Sequence, residues 1–331
     1  MPDSPRATVI PQAQVKPLPA RSSLADRFAD KGFRFLILLS AMSVLAIVVL
    51  IAWQLVVNSE LSLKQFGLKF FFSSNWDPVS GDFGALPFVF GTIVSSVLAL
   101  VIAVPLSVAA AVFITEMCPG WLKTPLSFLM ELLAAIPSVI YGLWAIFILA
   151  PLLRTFVQPF LAKYFGWTGL FSGPPYGIGM LAAGIILAIM IVPIISSITR
   201  EVMTAVPSQQ REAVLALGAT RWEMIWIGVL RNSRTGIIGG VILGLGRALG
   251  ETMAVTMVIG NRPEIAKSLF APGYTMASVL ANEFSEATDN LYLSAIIEIG
   301  LALFILTLIV NMIAQALVWA STRGMPARAQ A

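Results

Sequence analysis

The chain has 331 residues, of which 58% are hydrophobic and 11% are charged, and its net charge is +4. Soluble globular domains carry about 25% charged residues, so this composition excludes that class and indicates an integral membrane protein. The sequence has no histidine and one cysteine, which excludes His-ligated metal, His-based catalytic dyads and internal disulfides. We therefore expect no metal and no cofactor.

The segment before the first apolar run, residues 1–33, is predicted to be a cytoplasmic tail. Its first 22 residues contain five prolines and few apolar side chains, which is typical of disorder. Ser23 and Asp26 have the spacing of a capping box. A short helix on the membrane surface and a plain linker both fit this pattern.

Six apolar runs are long enough to cross about 30 Å of hydrocarbon, which takes about 20 residues. They are Phe35–Val57, Phe88–Thr115, Leu126–Leu149, Ile178–Thr199, Ile237–Gly260 and Tyr292–Ala320. Of the 21 Lys and Arg residues, 14 lie on the side of the N-terminus, six lie on the other side, and Arg247 lies within a span. The positive-inside rule therefore predicts six transmembrane helices with both termini in the cytoplasm. Residues 34–331 are expected to form one transmembrane domain.

Prolines interrupt three successive spans. Pro105, Pro137 and Pro193 each remove one backbone hydrogen bond and are expected to kink their helices. Packing geometry alone and a role in a moving element both remain open.

The loop after the fourth span, about residues 203–234, is the most informative polar segment. Ser208 is predicted to cap a helix over Gln209–Leu217, and Gly218 to end it in the left-handed conformation. Thr220 and Glu223 have the spacing of a second capping box.

The first of these two helices has nine residues and needs an outside surface to be stable. Its apolar face, Ala213, Val214 and Leu217, would supply the contact. The loop could pack on its own spans or dock a cytoplasmic partner.

The stretch REAVLALGAT resembles the EAA loop of ABC importer membrane subunits. In that pattern Glu-Ala-Ala is followed by Gly, and Glu212, Ala213 and Gly218 stand at those positions, with Arg211 before them. The sequence departs from the pattern at Val214, Gly228 and Arg231. The resemblance implies that Arg211, Glu212, Ala213 and Gly218 belong to a loop that couples the chain to an ATPase.

Further motifs narrow the resemblance to the PstC-type membrane subunit of phosphate importers. They are WDP at Trp76–Pro78, FGALPF at Phe83–Phe88, ELLAAIPSVIYGLW at Glu131–Trp144, GLGRALGETMAVTMVIGN at Gly244–Asn261 and NLYLSAIIEIGLALFILTLIVN at Asn290–Asn311. The resemblance extends over Phe33–Trp319. It implies the type I ABC importer permease (MetI-like) fold and a multi-pass location in a bacterial inner membrane.

The same resemblance implies the partners of the chain. They are a homologous PstA-type permease subunit, two cytoplasmic ATP-binding subunits and an extracytoplasmic phosphate-binding protein. The sequence contains no G-x-x-x-x-G-K-[ST] loop, so we expect ATP hydrolysis in other chains and no enzyme activity here. No nucleic-acid partner is expected.

The fifth span carries Arg247 and Glu251 near its centre. On a continuous helix, Gly240, Gly244, Arg247, Glu251 and Ala254 lie within about 40° of one direction. A second stripe of small residues, Gly239, Gly246 and Gly250, lies beside it. Small residues let helices approach closely, so this span is predicted to be central in the bundle.

Two explanations of Arg247 and Glu251 remain open. Each charge costs about 2.5–3.5 kcal/mol at the centre of a membrane helix, and pairing recovers only part of that. The pair could fix the helix register. Alternatively, Arg247 could lower the barrier to a phosphate anion, with Glu251 holding the arginine between substrates. The RALGE motif of the PstC-type family matches both residues.

Two further carboxylates lie in or beside predicted spans. Glu131 is expected near the inner interface, with a solvated or loop-capping role. Glu298, about two turns into the sixth span, is expected to face the interior as an accessory charge. Either could neutralise a basic group on the second subunit.

The predicted function is an ATP-driven permease subunit that imports inorganic phosphate across the lipid bilayer. The same fold could instead carry sulfate, molybdate or phosphonate, and a signalling or structural membrane partner is a further alternative. An intramembrane serine enzyme built on Ser172 is disfavoured, because the chain has no histidine to activate it.

Overall fold

The computed structural model describes residues 24–322, and within that range the chain is helical, with one isolated bridge between Asp77 and Asp82. The expectations for the first 22 residues and for the cap at Ser23 lie outside the described residues. The helices that we use below are α1 (Leu24–Asn58), α2 (Glu60–Phe66), α3 (Leu86–Met117), α4 (Gly120–Ala135), α5 (Ser138–Thr168), α6 (Met180–Thr204), α7 (Ser208–Ala216), α8 (Arg221–Leu249), α9 (Met253–Ile259), α10 (Met276–Glu283) and α11 (Asn290–Thr322).

Six membrane spans are present if a bent pair is counted as one. Five helices of the described chain are long and apolar enough to cross a membrane: Asp30–Asn58, Leu86–Met117, Ser138–Thr168, Met180–Thr204 and Asn290–Ala320. The sixth is formed by α8 and α9, which meet at 62°. The all-α class and the number of spans are therefore confirmed.

The chain divides into two compact units, one ending at Ile51 and the other beginning at Ala52. In the first unit the described residues belong to α1, which begins at Leu24 and continues into the span without interruption. From Leu24 onward, the stretch before the first span is therefore part of α1, and it is neither a separate short helix nor a plain linker.

The third span does not lie where the sequence predicted it. Leu126–Leu149 is broken at Ile136 and Pro137, whose ψ angles are 130° and 139°. A proline disfavours the helical conformation of the residue before it and has no N–H of its own, so α4 ends there and the span begins at Ser138. The Tyr141 hydroxyl donates to the Leu133 carbonyl at 2.7 Å and satisfies one carbonyl of the last turn of α4.

The other two prolines lie inside helices, Pro105 in α3 and Pro193 in α6. Helix α6 is at the centre of the second unit, because 67% of its most apolar window is buried, against 33% for α3 and α5. Its Ile186, Ile191 and Ile195 are 0% exposed and form one core with α3, α5 and α9. Helix α8 packs along α6 as well, which places the charged span beside the core.

Candidate translocation and coupling sites

The fifth span is broken beside its charged residues. Helix α8 ends at Leu249, and Gly250, Glu251 and Thr252 lie outside both helices. The prediction of one continuous helix over Ile237–Gly260 is therefore wrong at this point. Glycine is a poor helix former, and the Glu251 carboxylate offers the backbone N–H of Ala254 an acceptor that replaces a helical carbonyl.

Arg247 and Glu251 form the ion pair that their spacing predicted. Arg247 Nη2 lies 3.3 Å from Glu251 Oε2, while Glu251 Oε1 accepts a hydrogen bond from Ala254 N at 3.3 Å. The glutamate side chain is 3% exposed and the arginine side chain is 49% exposed. Glu251 thus joins the two halves of the broken span from the buried side, and Arg247 lies on the open side.

The two glycine stripes of α8 have different surroundings. A Cβ atom on Gly240 would lie 3.2 Å from Ile198, and one on Gly244 would lie 2.8 Å from Ile195, so this stripe is the contact with α6. Among the described residues, a Cβ atom on Gly239 or Gly246 would meet nothing within 4 Å. The first stripe confirms close packing, and the second leaves an open face.

Arg247 belongs to that open face. Leu243, Gly246 and Gly250 are exposed along with it, whereas Gly240 and Gly244 are buried. The helix is continuous from Gly240 to Arg247, so the expected angular position of Arg247 near the two packed glycines holds, but its side chain is exposed beside their contact with α6. The Arg247 guanidinium group therefore lies next to a stretch of α8 whose glycines leave the backbone uncovered by side chains.

The loop after α6 has the helix, glycine turn and helix that the sequence predicted. Helix α7 spans Ser208–Ala216, and its N-cap is Pro207, without a side-chain cap, instead of the predicted Ser208. Gly218 has a φ angle of +85°, the left-handed conformation expected of it. Thr220 Oγ1 accepts from Glu223 N at 3.3 Å, and Glu223 Oε2 accepts from Thr220 N at 2.8 Å, so the second capping box is confirmed.

The apolar face of α7 is only partly covered by the chain itself. Val214 is half-buried against a cluster that includes Ala111, Val112 and Met203. Ala213 is exposed, and Leu217 is 90% exposed. The expectation that these three residues are buried together thus holds only for Val214, because Leu217 lies at the turn, where no other described element covers it.

Arg211 and Glu212 point to different sides of α7. Glu212 is exposed. Arg211 is turned toward the spans, where Nη2 lies 3.0 Å from Glu116 Oε1 at the end of α3 and 2.8 Å from the Met203 carbonyl. Of the predicted coupling residues, Glu212, Ala213 and Gly218 lie on the accessible surface, and Arg211 holds the loop to the spans.

A polar cavity of about 920 Å³ opens between the ends of α3, α4 and α6. Glu131 lies in its wall and pairs with Arg200 at 3.1 Å. Glu131 has a side chain that is 61% exposed, which agrees with the expected solvated role, and its ion pair joins α4 to α6 instead of capping a loop. Because 69 residues separate the two partners, no local sequence pattern indicates this pair.

Glu298 is fully buried where α11 packs against α2. Among the described residues, neither of its carboxyl oxygens has a hydrogen-bond partner, and the hydroxyl of Ser62 on α2 has none. The backbone N–H of Ser62 donates to Ser294 Oγ, one turn before Glu298, at 3.2 Å. Interior facing is confirmed, and contact with a basic group of a second subunit is wrong, because its own chain covers the side chain.

Sequence patterns missed a cluster on the opposite side of the molecule from α7. Glu283 on α10 accepts from Trp76 Nε1 at 2.9 Å and from the Tyr292 hydroxyl at 2.7 Å. The Phe83 ring stacks on Tyr292 with centroids 5.4 Å apart. The WDP and FGALPF motifs thus anchor the segment before α3. The Glu283 carboxylate, which lies between the aromatic side chains, has among the described residues no hydrogen-bond partner close to it in the sequence, so no local pattern indicates the cluster.

The chain matches the family model described as "Binding-protein-dependent transport system inner membrane component" over residues 103–323. It is 47% identical over 302 residues to "Phosphate transport system permease protein PstC" of Mesorhizobium japonicum, which covers 89% of this chain and 92% of the relative. It is 45% identical over 313 residues to the protein of the same name from Xylella fastidiosa, over 93% of this chain and 96% of that protein.

A solved structure is also similar to the chain. "Inward facing conformations of the MetNI methionine ABC transporter" aligns with 20% sequence identity and a TM-score of 0.48, over 70% of this chain and 92% of that chain.

Proposed function

The chain belongs to the family of binding-protein-dependent transport system inner membrane components, among its PstC-type phosphate permeases, and we propose the path and coupling residues by which it imports phosphate. It is a multi-pass membrane subunit of an ABC importer for inorganic phosphate. ATP is hydrolysed by a separate subunit, and a separate protein binds the substrate.

One observation carries the assignment of the path. Arg247 is half exposed on the face of α8 where Gly246 has no neighbour, so a guanidinium group lies beside open backbone. Arginine suits oxyanions because its planar group presents several N–H donors to them. Helix α8 rises about 15 Å between Ile237 and Arg247, which is half of the hydrocarbon thickness. This depth supports a role for Arg247 in the passage of phosphate through the middle of the membrane.

Glu251 has two roles in this proposal. Its buried carboxylate holds Arg247 while no substrate is present, and its negative charge keeps an anion from remaining on the arginine. A transport path must bind its substrate weakly enough to release it, so a paired arginine suits passage better than a cluster of unpaired cations. The alternative, that the pair only fixes helix register, does not account for the exposure of Arg247.

The coupling surface consists of Glu212, Ala213 and Gly218 with the exposed Leu217 beside them. A short helix that leaves its apolar tip open has a surface suited to a socket in another protein. Two cytoplasmic ATPase subunits would dock here, one on this loop and one on the equivalent loop of a PstA-type subunit. The open face of α8 would meet that second permease across the path.

We assign residues 34–331 to the transmembrane permease domain and residues 1–33 to a cytoplasmic segment. The location that fits these partners is the bacterial inner membrane, with the phosphate-binding protein on the outer side. Glu298 is an accessory buried charge that does not line the path in this assignment.

The test is uptake of labelled phosphate by the reconstituted complex, with sulfate, molybdate and phosphonate as competitors. We expect ATP-dependent uptake that excess unlabelled phosphate suppresses and the other oxyanions do not. Stronger suppression by another oxyanion would reassign the cargo, and uptake without the ATPase subunits would contradict the ATP-driven mechanism. Uptake-deficient but assembled variants that still change a cellular response to phosphate would favour the signalling alternative.

A further inference from the structure

The Arg211 side chain joins three elements at the end of the molecule where α7 lies. Besides Glu116, its guanidinium group donates to the carbonyls of Met203 and Val206, at and just after the last turn of α6. The Met203 carbonyl also accepts a hydrogen bond from Val206 N at 3.2 Å in the turn that follows α6, so the guanidinium group of Arg211 adds a second donor where the carbonyls of a helix end need partners. One residue of α7 thus binds both the end of α3 and the end of α6.

The ion pair between Arg211 and Glu116 is largely shielded from water. The side chain of Arg211 is 20% exposed, and that of Glu116 is 8% exposed. Removing one charge of a shielded pair leaves the other without compensation, so the link is costly to break. Exposed pairs such as Arg262 and Glu264 lack this property.

The surroundings of this pair allow movement. Arg211 and Glu116 line both the cavity of about 920 Å³ and a second cavity of about 580 Å³ between α7 and the start of α8. The segment that carries Glu116, Phe113–Met117, is π-helical, and so is Met224–Leu230, which packs against α7. Wide helical turns of this kind recur at functional sites. Helix α7 is therefore held to α3 and α6 by the charged Arg211 link and by the packing of Val214, beside two cavities that leave room for movement.

The two elements that Arg211 binds lead to the proposed path. Helices α3 and α6 pack along each other, and Ile195 and Ile198 of α6 contact the buried glycine stripe of α8. Arg247 lies on the same helix, α8, with its side chain half exposed at the edge of that contact. A displacement of the end of α6 would thus reach α8 through side chains in direct contact.

We propose that Arg211, held by Glu116, is the positioning residue that transfers movement of α7 to the ends of α3 and α6. This inference rests on the proposed function, because it requires an ATPase that moves α7. When the pair is intact, α7 carries the two spans with it. When the pair is broken, only the apolar packing of Val214 links α7 to the two spans, and most ATP is hydrolysed without import of phosphate.

The test uses the reconstituted four-component importer and measures phosphate uptake and ATP hydrolysis in the same vesicles. The variant is Glu116→Gln, which keeps the size of the side chain and removes the charge. Glu131→Gln is the matched control, since it removes the same charge from an Arg–Glu pair in the same cavity without touching α7. Glu116→Asp keeps the charge and serves as the conservative variant.

We expect Glu116→Gln to lower the ratio of phosphate imported to ATP hydrolysed at least tenfold while the ATPase subunits still co-purify. Glu131→Gln should keep this ratio within about twofold of the unmodified complex, and Glu116→Asp should recover most of it. An unchanged ratio for Glu116→Gln, an equal loss for Glu131→Gln, or loss of assembly in Glu116→Gln with no recovery in Glu116→Asp would each overturn the proposal. Uptake without ATP by the unmodified complex would instead overturn the proposed function.

Discussion

Arg247 and Glu251 are joined by an ion pair of 3.3 Å across the break between α8 and α9, yet the arginine is half exposed and the glutamate is buried. A pair that served only to fix helix packing would place both side chains inside the protein. Here only the anion is inside, held by the cation and by the backbone N–H of Ala254. The cation remains accessible to an incoming anion, which agrees with our proposal that a substrate replaces an internal carboxylate.

The substitution Arg247→Gln tests the role of the cation. We expect phosphate uptake to fall about tenfold or more, because a hydrogen bond to a charged group contributes about 1.5–3 kcal/mol. Arg247→Lys should lose less, since it keeps the charge without the planar donor group. Uptake by the reconstituted complex is the measurement, with co-purification of all subunits as the control. Normal uptake by Arg247→Gln would remove Arg247 from the path.

The substitution Glu251→Gln tests the role of the buried anion. The amide oxygen can still accept from Ala254 N, so the break between α8 and α9 should persist. Loss of the negative charge frees Arg247 to hold phosphate for longer. We expect both the apparent KM and kcat for uptake to fall, by up to about fivefold, because the half-exposed Arg247 is screened by solvent and exposed ion pairs contribute about 0.2–1 kcal/mol. A rise in KM with unchanged kcat would contradict the displacement of Glu251 by substrate.

Gly244 and Gly246 lie about half a helical turn apart, Gly244 on the packed face of α8 and Gly246 on the open face. Gly244→Leu would force a side chain into Ile195, and overpacking costs about 1–3 kcal/mol, so we expect poor assembly and a lower Tm. Gly246→Leu should leave the Tm within a few degrees and block uptake, since its side chain would enter the open face. Thermal unfolding and uptake are measured on both variants. Equal loss of stability in the two would show that both faces are packed.

Leu217, at the tip of the proposed coupling loop, offers a test of docking by the ATPase subunits. This side chain is 90% exposed at the end of α7, so Leu217→Asp should not unfold the chain. We expect the ATPase subunits to stop co-purifying, because a charge would enter an apolar socket. The matched control is Val79→Asp, which changes an equally exposed residue far from the loop. Retention of the ATPase by the Leu217 variant would place the socket elsewhere.

We expect the protein to tolerate removal of the negative charge of the buried Glu298. Its carboxyl group is 0% exposed, with no hydrogen-bond partner among the described residues. Burying an unpaired charge costs several kcal/mol, so the neutral Glu298→Gln should match or exceed the thermal stability of the unmodified subunit. Glu298→Lys should prevent assembly, because the larger cation has no partner there. A tenfold loss of uptake by a stable Glu298→Gln would instead place the carboxyl group in the transport step.

Several features could be predicted from the sequence because their causes are local. The capping box at Thr220 and Glu223 and the left-handed turn at Gly218 depend on neighbouring residues and formed as expected. The positions of α3, α6 and α11 follow from apolar length, which the thickness of the bilayer dictates. The contact of Gly240 and Gly244 with α6 follows from side-chain size at helical spacing.

Other features could not be predicted from the sequence, because two conformations of the same segment have similar local free energies. A proline can kink a helix or end it, and Pro105 lies inside α3 while Pro137 separates α4 from α5. A glycine-rich stretch can continue a helix or break it, and the span breaks after Leu249. Surrounding contacts decide each case, such as the bond from Ala254 N to Glu251 and that from Tyr141 to the last turn of α4.

By itself, the sequence determined the membrane class, the number of spans, the helix, turn and helix of the loop after α6, and the spacing that pairs Arg247 with Glu251, since each depends on composition or on residues a few positions apart. Only the tertiary structure decided that Arg247 is open, that Glu251 is buried, and that Arg211 reaches Glu116 across 95 residues. The physical reason is that exposure and long-range pairing are properties of packed helices. A local pattern specifies which side chains share a helix, and the neighbouring helices specify which of them remain free to meet a substrate or a partner.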